Sequence, residues 1–118
     1  MHSKDKLGID GEDYAVQYLV GSGHTIVTRN WRCPEGEIDI LATDGRTLVV
    51  VEVKTRSSTA YGQPFESVTW RKSAKIRGLA ARWLRENPWR GPVRFDVISI
   101  VMQKHCGPEL QLFRAAVV

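Results

Sequence analysis

Cysteine is scarce in this chain: of 118 residues only Cys33 and Cys106 are cysteines, far apart and outside any CxxC or zinc-type spacing. A disulfide scaffold is not expected, and free thiols in a reducing compartment are. Long apolar runs are also missing. None approaches the roughly 20 residues that span a bilayer, and the polar opening MHSKDK lacks the apolar segment of a secretory signal. The expectation is a cytoplasmic protein with no membrane partner. His2, His24 and His105 share no spacing typical of a ligand or base set. Internal repeats, low-complexity tracts and glycine-rich nucleotide loops are absent as well, which leaves few of the familiar binding classes open.

What is there is the composition of an ordinary globular protein, 42% hydrophobic and 25% charged. The length suits one domain with one core, preceded by a short polar tail over residues 1–7. Seventeen basic residues against 13 acidic ones give a net charge of +4, which fits a polyanionic partner without requiring one. Their distribution says more. Between Arg71 and Arg85 there are six basic residues and no acid, whereas most acids fall in the first 66 residues.

The stretch Gly36 to Lys54, GEIDILATDGRTLVVVEVK, organises the rest. Asp44-Gly45 is a strong type I′ hairpin signal, since both residues tolerate positive φ. With those two as the turn, Thr43 faces Arg46, Asp39 faces Val50, Glu37 faces Glu52, and Asp39 and Glu52 become diagonal neighbours. Strand alternation then projects Glu37, Asp39, Glu52 and Lys54 from one side and Ile38, Ile40, Val49, Val51 and Val53 from the other. Diagonal positions lie about 7–8 Å apart at the backbone, close enough for two carboxylates to share a metal ion. Acids on a wet face of a ribbon usually stay solvated. Here Leu41 and Val50 share the acidic face, and the run Leu48 to Val53 reads as a central strand covered on both sides, where charge is costly unless paired or metal-bound.

An acid on one strand followed by Glu-x-Lys on the next, here Asp39 and then Glu52-Val53-Lys54, resembles the PD-(D/E)xK nucleases. A wider set of motifs is similar to the YraN family of bacterial endonuclease-like proteins: Gly11-Glu12, Asn30-Trp31-Arg32, Gly36-Glu37-Ile38-Asp39, Val51-Glu52-Val53-Lys54 with Arg56, Tyr61-Gly62, and Arg94-Phe95-Asp96-Val97. The similarity runs from about Gly8 to Phe113. It implies a restriction-endonuclease-like α/β fold, a mixed central sheet of about five strands flanked by helices, and a kinship with resolvase-type nucleases that act on branched or structured DNA. It also implies that the acid at Glu12 can approach the site from the first helix; an acid placed favourably in a helix dipole explains the residue equally well.

Patterning supplies the remaining elements, in the order αβββαββ. A helix is expected over about Asp10 to Val20, with Ala15, Leu19 and Tyr18 as its apolar stripe, and a strand over His24 to Arg32. Arg29 and Arg32 are either phosphate contacts or solvated, and Trp31 is more simply a core residue than a base-stacking one. A turn through Cys33-Pro34-Glu35-Gly36 leads into the hairpin. The loop Thr55 to Phe65 borders the site and offers Arg56 and Gln63 to a phosphate or base. A long helix runs from Glu66-Ser67 to about Glu86, burying Ile76, Leu79, Ala80, Trp83 and Leu84. Arg71, Lys75, Arg82 and Arg85 form a basic ridge on its opposite side, either a solvated face or a phosphate track. Lys72 projects on the side of the sheet, where it either snorkels outward or points into the acidic site, and a site-edge role is the favoured one. Further strands follow over Pro92 to Val101 and Leu110 to Ala115, separated by a turn at His105-Cys106-Gly107-Pro108. Asp96 suits a structural pair with an arginine as well as any chemical role.

The expected chemistry is phosphodiester hydrolysis with magnesium or manganese, which hard oxygen ligands favour. Asp39 and Glu52 would bind the ion with the Val53 carbonyl, Glu12 and Glu37 could add a ligand for a second ion, and Lys54 would orient or help deprotonate the attacking water and stabilise charge on the phosphate. Nucleic acid, most simply DNA, is the expected partner, with Arg56, Gln63, Arg71, Lys72 and Lys75 as contacts. A homodimer would suit an enzyme acting on two strands. The alternative is a module that keeps the fold and holds nucleic acid without cutting it; a third reading is a small interaction protein using Trp70, Trp83 or Trp89.

Overall fold

The computed structural model describes residues 6–57, 70–103 and 107–115. In chain order these form helix α1 (Lys6–Gly21), strands β1 (Thr25–Cys33), β2 (Gly36–Asp44) and β3 (Thr47–Arg56), helix α2 (Trp70–Glu86), and strands β4 (Val93–Gln103) and β5 (Gly107–Phe113). The strands make one sheet in the order β1-β2-β3-β4-β5. Only the β3–β4 pair is parallel, and α2 lies in the connection that parallel pairing requires. No helix among the described residues is long and apolar enough to cross a membrane.

The central place of β3 follows from its sequence, because Leu48 to Val51 are buried on both faces. On one face Ala15 and Leu19 of α1 pack with Ile40, Ala42, Val49, Val51, Ile98 and Ile100. On the other, Leu79, Ala80 and Trp83 of α2 pack with Ile38, Leu41, Leu48 and Val50. Ile76 and Leu84 join that second core while only partly buried. Tyr18, expected in the α1 stripe, is exposed. The first helix extends upstream of Asp10, where Lys6 meets Asp10 at 3.0 Å across one turn. The last strand begins at Gly107 rather than Leu110, and Pro108 is accommodated because β5 is an edge that needs no donor on its outer side.

Two corrections concern the hairpin. Asp44 pairs with Thr47, so the two-residue loop is Gly45-Arg46, not Asp44-Gly45. Gly45 has φ 60° and Arg46 is not among the positive-φ residues, which is the type II′ pattern with glycine first. Paired numbers therefore sum to 91 rather than 89, as in Ile40 with Val51. The shift is one residue on each strand, and the ladder ends at Ile40 and Val51, one step before Asp39 and Glu52, which share a cleft.

The second correction is a break in alternation. Ile38 lies under α2 and Ile40, two residues on, lies under α1. The neighbouring strand flips at the matching place: Arg29, paired with Ile40, reaches Glu12 and Asp13 of α1, while Trp31, two residues on and paired with Ile38, packs on the α2 side. Asn30, across from Asp39 in the register, has φ 53°, a left-handed conformation that asparagine tolerates better than most residues. Ile38 thus does not share a face with Ile40 as regular alternation requires, and it joins Glu37 and Asp39 at the cleft under α2.

Candidate nuclease-like site

The break in alternation is where the acids sit. One step beyond the Ile40–Val51 pair, the Val53 N–H donates to Asp39 Oδ2 at 2.8 Å, so a side chain takes the place of a ladder bond and holds β2 against β3. Glu52 Oε2 is buried and has no hydrogen-bond partner. Both carboxylates line a cleft of about 80 Å³ roofed by Ile76 and Leu79 of α2. That is room for a cation or a few waters, and a buried carboxylate oxygen without a donor is costly until something positive meets it.

Lys54 follows Glu52 on the same face of β3, in register with the buried Ser99 of β4. Burial pushes the Lys54 amine below its usual 10.5, opposed by Glu52 and reinforced by Lys72 and Arg56. Lys72 stands within hydrogen-bonding reach of Lys54, and as a donor it favours the neutral amine. The lysine expected to reach the site edge from α2 does so. Arg56 lies two residues further along the same face, and Arg71 is exposed at the start of α2. Lys75 lies over the start of β2, where a methyl group on Gly36 would come within 3.1 Å of its Cε. Gln63 lies outside the described residues, as do Tyr61-Gly62 and Cys106, while Cys33 is a free thiol.

Glu12 and Glu37 both meet arginines, Glu12 in a separate cleft and Glu37 while lining the same cleft as Asp39 and Glu52. Glu12 is buried in α1 and meets Arg29 Nη2 at 3.4 Å, while Arg29 also donates to Asp13 at 2.6 Å. Glu37 accepts from Arg32 Nε at 2.7 Å across the β1–β2 pair. A cleft of about 360 Å³ on this side is lined by Ile9, Glu12, Arg29, Asn30 and Arg32. Among the described residues no three His, Cys, Asp or Glu side chains converge as a complete metal cage would. Asp96 is held by Arg94 Nε at 3.0 Å and by the Ala115 N–H at 2.9 Å, and Arg94 also reaches Asp44 at 3.4 Å. The structural reading of Asp96 therefore accounts for all of its contacts described here, and Trp31 is a core residue.

Sequence reasoning missed two features. Arg82, expected on an open ridge, donates to Glu35 in the β1–β2 turn, a contact 47 residues apart in sequence with no local signal. Asn30 was noted only as part of a motif; its tolerance of left-handed φ was the one clue to the flip.

A mixed five-stranded sheet with a helix on each face, carrying an acid–acid–lysine constellation where its two central strands separate, defines a compact α/β fold of the nuclease-like kind. The chain itself belongs to the uncharacterised protein family UPF0102, whose model matches residues 11–100. It is 45% identical to a UPF0102 protein of Clavibacter michiganensis over 98% of this chain and 99% of that one. A UPF0102 protein of Frankia casuarinae is 52% identical over 92% of each chain. One from Pseudarthrobacter chlorophenolicus is 54% identical over 86% of this chain and 77% of its own.

Proposed function

We propose that the protein is a metal-dependent nuclease of the PD-(D/E)xK type, as its resemblance to the YraN family implies, hydrolysing phosphodiester bonds in branched or otherwise structured DNA. The observation that carries this reading is the buried Glu52 Oε2 without a donor, in one cleft with Asp39 and beside a lysine whose ammonium form is disfavoured. That donor set fits magnesium or manganese. Asp39 and Glu52 would hold the ion, with the Val53 carbonyl as the backbone ligand. When bound, it supplies charge neutralisation at the phosphate and a more acidic water.

The chain's own residues do the rest. Asp39, fixed by the Val53 N–H, keeps the backbone between Glu52 and Lys54 in one conformation. Lys54, tuned downward by burial, can orient a water or take its proton at the amine nitrogen when neutral, and when charged it can steady the phosphate. Lys72 and Arg56 place further positive charge where a phosphodiester would lie. Cleavage of both strands of a duplex would need two such sites, which a homodimer would supply.

A second reading, a binding module that does not cut, is favoured by one observation: Glu12 and Glu37 both face arginines. The deciding experiment is cleavage of labelled four-way junction, flap, single strand and duplex with magnesium or manganese, wild type beside Asp39→Ala. Cleavage by wild type alone is expected. No cleavage, with equal and chelator-insensitive binding by both proteins, would replace the nuclease by the binding module.

A further inference from the structure

We infer that the outer flank of α2 and the β1–β2 turn form a track for a nucleic-acid backbone leading out of the acid cleft, and that Glu35 occupies one of its phosphate positions in the free protein. The inference rests on nucleic acid being the ligand, as proposed above, and adds the path it takes and a built-in competitor.

A cleft of about 510 Å³ lies between the turn and α2, lined by Glu35, Lys75, Gly78, Leu79, Arg82 and Arg85. Leu79 also walls the cleft that holds Asp39 and Glu52, so the two lie on either side of that residue. Nothing lies within 4 Å of where a Gly78 side chain would begin, which leaves the floor clear for a bulky ligand. From Lys72, beside Lys54, the helix advances about 20 Å to Arg85 at 1.5 Å per residue. A duplex presents one phosphate per strand for each ~3.4 Å of axis, so this flank spans several.

Two of the cations lining this cleft are not balanced by acids. Among the described residues Lys75 and Arg85 have no acidic partner, whereas Arg82 is held by Glu35, with Glu86 3.7 Å away. Arg82 keeps the exposed Glu35 carboxyl below the usual range, as it would favour the charge of a phosphate. Among the described residues, a row of cations in which only Arg82 meets carboxylates, opening onto a site built for a phosphodiester, matches a nucleic-acid strand better than an acidic peptide. A strand entering the track must displace Glu35 from Arg82, so the turn weakens binding by an amount that substitution can recover.

The test is fluorescence anisotropy of the full chain with labelled DNA, single-stranded and duplex, in chelator and in an Asp39→Asn background so that no strand is cut. The double variant Lys75→Ala/Arg85→Ala is expected to bind about ten-fold more weakly, with the salt slope of log Kd reduced by about 1.4–1.8. Glu35→Gln is expected to bind several-fold more tightly, with a slope steeper by about 0.7–0.9. The charge-matched control Arg46→Ala/Arg90→Ala, at the cleft beside the β2–β3 hairpin, should change neither. Equal losses in both doubles, an unaffected Glu35→Gln, or no DNA binding at all would overturn the track. If the track fails while wild type still cuts DNA, the nuclease reading stands; if wild type does not cut while the variants behave as expected, the track serves a binding module.

Discussion

Glu52 and Lys54 each carry a cost that a purely structural residue would not. The unpartnered Oε2 of Glu52 is expensive in the free protein, so Glu52→Gln in chelator should melt above wild type. Magnesium or manganese should raise the melting temperature of wild type, by an amount equivalent to about 2.7 kcal/mol at a hundred times Kd, and leave Glu52→Gln unmoved. Thermal melts with and without chelator check this, and an equal response in both proteins would remove Glu52 from the ligand set. Lys54 has a folded-state pKa below 10.5. A depressed lysine opposes folding most where it is charged, below its folded-state pKa, and that cost disappears as pH rises towards the unfolded value. Lys54→Met should therefore melt higher than wild type at neutral pH, with the gap narrowing as pH approaches 10.5, while cleavage is lost. A gap independent of pH would mean that the methionine acts by packing alone.

At the scale of elements, the approach of α1 to the sheet depends on one missing side chain. A Cβ on Gly11 would fall 2.0 Å from Thr55 Oγ1 and 2.8 Å from Thr55 Cβ. Gly11→Ala should cost about 1–3 kcal/mol in denaturant unfolding, and Thr55→Ala should recover only part of it, since the two Cβ atoms still collide. Asn30→Val, at φ 53°, should cost about 1–2 kcal/mol, and Asn30→Gly should be tolerated. The central position of β3, the face of Lys72 and the buried residues Leu79, Ala80 and Trp83 of α2 were all legible in the sequence, because apolar periodicity is a local quantity. The hairpin loop was displaced by one residue, since Asp44-Gly45 satisfies the type I′ pattern and Gly45-Arg46 the type II′ pattern, and Asp44 is held as a strand residue by Arg94, 50 positions away. The flip at Asn30 and Asp39 was not legible. Both strands change face together, so each sequence taken singly still alternates plausibly, and only packing against two different helices shows the break. The Arg29–Glu12 and Arg32–Glu37 pairs were hidden for a related reason, because the acids' spacing alone does not show which face they end on.

Across the whole molecule the sheet separates stability from chemistry. The Arg94–Asp96 pair, with the Ala115 N–H, ties β4 to the residues just after β5, and it alternates with Ile98 on the α1 face, away from the cleft under α2. Asp96→Ala should cost about 1–3 kcal/mol by leaving the Ala115 N–H without its acceptor and Arg94 with Asp44 alone, yet the fraction that remains folded should keep the proposed cleavage at the wild-type rate per molecule. Unfolding curves and active-site-normalised rates separate the two effects. The lone parallel pairing has a kinetic side. β1, β2 and β3 meet through tight turns and can assemble almost as soon as they leave the ribosome, whereas Leu48 must wait for Val93, and the loop between them has to close before any contact rewards it. The carboxylates of the hairpin therefore come together early in folding, with α2 and its lysines arriving only when the crossover closes. A nascent chain of this protein presents its acids with Lys54 and Arg56 of β3 alone, before the cations of α2 join them.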